Sequence, residues 1–96
     1  IEVPPVELSL ASFPNPFREK ALVSFAVTAD GPTRLQVFNS RGQLVRELLS
    51  EQKGPGTYQK IWDGRDANGV SCSAGIYFLR LESSGTSLIR KIALVR

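Results

Sequence analysis

The chain has 96 residues, 42% of them hydrophobic and 22% charged, which suits one globular domain and leaves too little for two. Twelve basic and nine acidic residues give a formal charge of +3, and the basic residues are spread singly, so no Lys/Arg-rich window points to nucleic acid. With no histidine and only one cysteine, Cys72, the chain has no Ser-His or Cys-His nucleophile pair, no His-containing zinc site and no internal disulfide.

The opening Ile1-Glu2-Val3-Pro4-Pro5 starts without Met and reads as a linker within a longer polypeptide. It lacks the charged and then apolar stretches of a secretory signal, and no run of about 18 apolar residues suits a membrane-spanning helix. Val6 to Ala11, flanked by prolines, is expected to be an edge strand, so 1–12 is read as linker and lead-in and 13–96 as the domain. Pro14 and Pro16 have no N–H to give to a ladder, so this segment must bend out of the sheet before the next strand.

Lys20 to Thr28 alternates, with Val23, Phe25 and Val27 on one face and Ser24 and Thr28 on the other, the pattern of a half-buried strand. Thr33 to Asn39 repeats it with Leu35 and Val37 inward and Arg34 and Gln36 outward. Gln43 to Gln52 is ambiguous: Leu44, Val45, Leu48 and Leu49 suit a helical stripe, but the turn residues Asn39-Ser40-Arg41-Gly42 before it favour the second strand of a hairpin. Gly56 to Trp62 places Tyr58 and Trp62 on one face with the Lys60 stem between them, and Gly75 to Ser83 sets Tyr77, Leu79 and Leu81 against Arg80 and Glu82. The final run, Leu88 to Val95, is rich enough in Ile, Leu and Val to predict burial on much of both faces, and a strand ending at the terminus offers an edge for strand addition. Seven strands, at 6–11, 20–29, 33–39, 43–49, 56–62, 75–83 and 87–95, punctuated by Asp30-Gly31, Gly54-Pro55-Gly56, Asp63-Gly64, Asn68-Gly69 and Ser84-Gly85, predict an all-β, antiparallel immunoglobulin- or fibronectin-like sandwich without a disulfide.

The densest polar cluster is Trp62-Asp63-Gly64-Arg65-Asp66-Ala67-Asn68-Gly69. Asp63, Asp66 and Asn68 are weak calcium candidates, since the alternate-position ligands and the distal Glu of an EF-hand loop are missing; Asp-Gly and Asn-Gly are also what tight turns require. Asp63 and Asp66 are the one close acid pair on a loop, but a small sandwich supplies little cleft for carboxylate catalysis, so no enzyme activity and no cofactor are expected. Cys72 reads as a small apolar filler at a loop edge. Alternation sends Trp62, Tyr58 and Tyr77 into the core and leaves Phe38 and Phe78 on outer faces as a modest sticky patch; a carbohydrate-stacking platform is the competing use of these aromatics.

Phe13-Pro14-Asn15-Pro16-Phe17, Leu35-Gln36-Val37-Phe38-Asn39 with Gly42, Gly56-Thr57, Trp62-Asp63-Gly64, Asn68-Gly69, Ala74-Gly75-Ile76-Tyr77-Phe78 and Arg90-Lys91-Ile92-Ala93-Leu94 occur in that order. The ordered set resembles the C-terminal sorting domain of the type IX secretion system, which is similar to the Ig-like domain of the flagellar hook-cap protein. The resemblance spans about 12–96 and departs from the usual pattern at Arg18-Glu19-Lys20 and at Lys60. It implies a non-catalytic module at the end of a larger exported protein, recognised by an outer-membrane translocon and removed by a sortase-like protease as its upstream cargo is anchored at the cell surface. Carried over by position, the sorting-motif candidates are Pro14, Asn15, Pro16, Gly75, Tyr77, Lys91 and Arg96. The alternative from another class is a structural interaction module of the hook-cap or fibronectin kind.

Overall fold

The computed structural model describes residues 7–96, so part of the expected first strand and its proline-rich approach lie outside the described residues. Seven strands form: β1 (Ser9–Phe13), β2 (Ala21–Val27), β3 (Gly31–Asn39), β4 (Leu44–Lys53), β5 (Gly56–Trp62), β6 (Gly75–Ser83) and β7 (Thr86–Leu94). All strand pairs are antiparallel, in a three-stranded sheet ordered β1-β2-β5 and a four-stranded sheet ordered β4-β3-β6-β7. No helix among the described residues is long and apolar enough to cross a membrane. The first strand sits later than the 6–11 of the sequence reading, because Ser9 to Phe13 pairs in register with Ala26 to Leu22 and brings Leu10 into the core.

The two inner faces meet as alternation requires. Val23, Phe25, Val27, Leu35, Val37, Leu79, Leu81 and Ile92 are wholly or almost wholly buried, and Trp62 has no exposed surface. Phe17 and Tyr77 pack on either side of Trp62, each with its ring centroid 5.2 Å from the indole, and the Tyr77 ring meets it edge-on. The indole Nε1 donates to the Arg65 carbonyl at 3.0 Å, so the buried ring keeps its polar handle satisfied.

The ambiguous stretch is a strand, and the reason for its ambiguity is visible. Pairing between β3 and β4 shifts register between Leu35 and Gln36 and again between Val37 and Phe38, so β4 loses the clean period of two. Leu49 is buried, Val45 and Leu48 are half-buried and Leu44 is exposed, a mixture that imitates a helical stripe. The turn before β4 is tied by Asn39, whose side-chain oxygen accepts from the backbone N–H groups of Arg41 and Gln43.

Burial of the last strand on both faces is corrected by the structure. β7 is the end strand of its sheet and only its inner face is covered: Ile92 and Leu94 are buried while Ile89 and Lys91 stand in solvent. Apolar residues on its outer face therefore extend the surface begun by Phe38 and Phe78, which lie directly opposite each other on β3 and β6 and are half-buried.

Trp62→Ala should cost on the order of 3–5 kcal/mol in a urea titration, because the indole fills the space between Phe17 and Tyr77. Ile61→Ala, one residue earlier and 54% exposed, should stay within about 0.5 kcal/mol of the parent.

Candidate functional site

β1 ends at Phe13 and the chain then changes sheets. Through Pro14-Asn15-Pro16 it leaves β2 and reaches the outer edge of β7, where Phe17 forms a parallel bridge with Leu94. The Asn15 amide holds this crossing at both of its polar atoms. Its Nδ2 donates to the Lys91 carbonyl at 3.0 Å, and its Oδ1 accepts from the Ala93 N–H at 3.0 Å. Phe17 continues the contact with its backbone, its N–H donating to Ala93 O and its carbonyl accepting from the Val95 N–H, both at 2.9 Å. Its ring meanwhile drops into the core against Trp62.

The other flank of the same stretch of β7 is β6. Gly75 pairs with Leu94, Ile76 with Ala93, Tyr77 with Ile92 and Phe78 with Lys91. Gly75 takes φ +154°, in keeping with the backbone freedom expected of it, and the Tyr77 hydroxyl donates back to the Ser73 carbonyl at 2.6 Å. A tyrosine near the start of a sandwich strand, bonded to backbone just upstream, is the tyrosine corner of immunoglobulin-like domains. The same device occurs at β5, where the Tyr58 hydroxyl donates to the Gly54 carbonyl at 2.7 Å.

Residues 63–74 close the end of the site. The Asp63 carboxylate accepts from Arg46 at 2.7 Å and from the Arg65 N–H, while the Asp66 carboxylate accepts from the N–H groups of Asn68 and Val70. Gly64, at φ +74°, is buried below the tail, where an added Cβ would sit 3.6 Å from Phe17, Leu94 and Arg96. Arg96 in turn donates to the Cys72 carbonyl at 2.8 Å, tying the last residue to this loop. Asp63 and Asp66 thus act on separate turns and Asn68 is exposed; among the described residues, no three His, Cys, Asp or Glu side chains converge as a metal-holding group. The Cys72 side chain packs against the core, and burial pushes its thiol above the ordinary range, with the Asp66 carboxylate adding to the shift. Burial likewise raises the Tyr77 phenol.

The structure therefore brings Pro14, Asn15, Pro16, Gly75, Tyr77, Lys91 and Arg96 to one place, the last third of β7 and its two flanks. Residues far apart in the chain meet here, since Asn15 and Lys91 are separated by 76 positions. Missing from the sequence reading were Phe17, Ala93 and Cys72 as contact points; the alternation of buried Ile92 and Leu94 carries no sign that the edge beside them is occupied. Trp62 is wholly buried and offers no face for sugar stacking.

The FlgD Ig-like domain model matches residues 15–87, and the chain belongs to that family. No curated protein matches it. Among solved structures it is similar to dimeric latent PorU from Porphyromonas gingivalis, at 23% identity and TM-score 0.74 over 97% of this chain and 10% of that one. It is also similar to PorZ of the same organism, described as a surface component of the type IX secretion system, at 18% identity and TM-score 0.61 over 92% of this chain and 12% of that one. These likenesses show the fold, and the chain spans only about a tenth of either neighbour.

Asn15→Ala should cost about 1 kcal/mol, since water replaces its two bonds at an exposed site, and should speed hydrogen exchange at the Ala93 amide selectively. Cys72 should alkylate slowly. Because the folded state holds the thiol proton more tightly than the unfolded chain does, its stabilising share is present below the unfolded pKa and is lost as pH rises past it. The pH inflection of iodoacetamide labelling should accordingly fall when the protein is unfolded in urea.

Proposed function

We propose that this FlgD Ig-like domain is a non-catalytic sorting module at the end of a larger exported protein, which presents its last strand to the outer-membrane translocon of the type IX secretion system. The reading has the upstream part of the polypeptide as cargo and a sortase-like protease as a second partner, with the product secreted or held at the outer-membrane surface. One observation carries it: the seven residues carried over by resemblance as sorting-motif candidates, scattered from Pro14 to Arg96, share a single locus around Lys91 to Arg96. The fold likeness to PorZ supports the same assignment.

The physical logic is that a sorting signal has to be read as a shape. Asn15 and Phe17 hold one flank of the terminal strand and Gly75 to Phe78 the other, so the signal exists only when both ends of the domain are folded together. Such a module needs no reacting group. The match to the FlgD Ig-like model favours a second reading, an assembly module of hook-cap type.

A reporter fused to the 96-residue chain should reach the surface of a type IX-competent cell, and removal of Ile92 to Arg96 should abolish this. Retention of the intact fusion inside the cell, together with self-association of the purified domain into ordered oligomers, would instead select the assembly reading.

A further inference from the structure

The outer edge of β7 is divided. Lys91 O, Ala93 N–H and O, and Val95 N–H all point away from β6 and are engaged by Asn15 and Phe17. Residues two apart on a strand direct their backbone groups the same way, so Ser87 and Ile89 face this edge as well, as does the Lys91 N–H. β1 approaches β7 from the other sheet without pairing with it, and no strand of the described residues is hydrogen-bonded to β7 there. Thr86, Ser87, Ile89, Arg90 and Lys91 are all exposed.

This half-edge is built unlike the opposite edge of the same sheet. β4 is broken by two register shifts and carries acids, Glu47 and Glu51, beside its bases, whereas the exposed charges of β7, Arg90 and Lys91, are of one sign. β7 pairs with β6 over nine consecutive positions without a shift, and contains neither proline nor acid. Its outer face opens onto an apolar groove of about 570 Å³ lined by Phe38, Phe78, Arg80, Ser87 and Ile89. A single side chain guards the edge: Arg90 Nη1 donates to the Ile89 carbonyl at 3.0 Å.

We infer that the open half of β7, Thr86 to Lys91, accepts an extended acidic segment of a partner protein as an added strand, in which apolar residues alternate with carboxylates. The charge balance selects this occupant. An incoming N–H must displace the Arg90 guanidinium from Ile89 O, and a carboxylate on the Arg90 face of the added strand receives it. Apolar side chains on the other face of that strand lie beside Ile89 at the mouth of the Phe38–Phe78 groove. A second copy is disfavoured, because it would bring its own Arg90 and Lys91 to the same edge. Asn15 sets the limit of the added strand by occupying the acceptor at Lys91. The inference deepens the sorting reading, since it supplies the chemistry by which a translocon component would grip this strand.

The test is a titration of the isotopically labelled 96-residue chain with a synthetic peptide of alternating Val and Glu, against an equally long peptide of alternating Val and Lys. The acidic peptide should bind at least about tenfold more tightly, weaken with added salt, and slow hydrogen exchange at the Ser87, Ile89 and Lys91 amides. Ile89→Pro, which removes an outward N–H and the Ile89 side chain from an edge strand, should abolish binding, and so should Arg90→Glu with the proline variant set aside. Equal affinity for both peptides, protection at β4 or β5 instead, or the same protection produced by self-association without peptide would overturn the inference. The titration is read on purified protein, so it stands or falls independently of export; normal export of an Ile89→Pro fusion would remove the edge from the sorting mechanism while leaving that reading intact.

Discussion

The transfer of the chain from one sheet to the other between Phe13 and Phe17 is the constraint on which the rest of the domain depends. Two prolines forbid continuation along β2, and the asparagine between them supplies the donor and acceptor that a backbone would have supplied to β7. Phe17 then does two things at once, with its backbone on the last strand and its ring against Trp62. The segment 13–17 and the last strand are thereby pinned to the same core. A small sandwich with no disulfide between its sheets gains here a cross-connection made from hydrogen bonds and an aromatic contact.

Much of the fold was legible because alternation is a local signal. Val23, Phe25 and Val27, or Tyr77, Leu79 and Leu81, announce both a strand and its buried face without help from distant residues. The signal fails where the sheet itself is irregular. Two bulges scramble the pattern of β4, and nothing in Leu44 to Leu49 states that the extra residues belong to a bulged strand. It also overstates burial in β7, since a run of Ile, Leu and Val reads alike in a central strand and at an edge whose outer face has no covering layer.

The site was legible in composition but not in arrangement. The ordered motifs nominated Asn15, Tyr77, Lys91 and Arg96 singly, whereas their convergence rests on contacts made across most of the chain length, which no spacing rule records. The acidic loop shows the opposite case. Asp63 and Asp66 attract attention as ligands, yet their oxygens face backbone N–H groups and Arg46, which is the ordinary employment of short acids in turns. Because that loop also holds the Trp62 indole N–H and the Arg96 side chain, its turns position the core and the tail together.

The parallel direction of the Phe17–Leu94 bridge has a mechanical consequence. Once the β1–β2 ladder has yielded, tension between the upstream chain and the C-terminus would load the four bonds joining Asn15 and Phe17 to β7 side by side, in shear, so that they resist as a group. Tension applied to the C-terminal tail alone, against a body held elsewhere, would peel the same bonds one after another, beginning with Val95. The domain is therefore stiffer towards a pull across both of its ends than towards a pull on its C-terminal tail alone, a directional response set by the sense of one bridge.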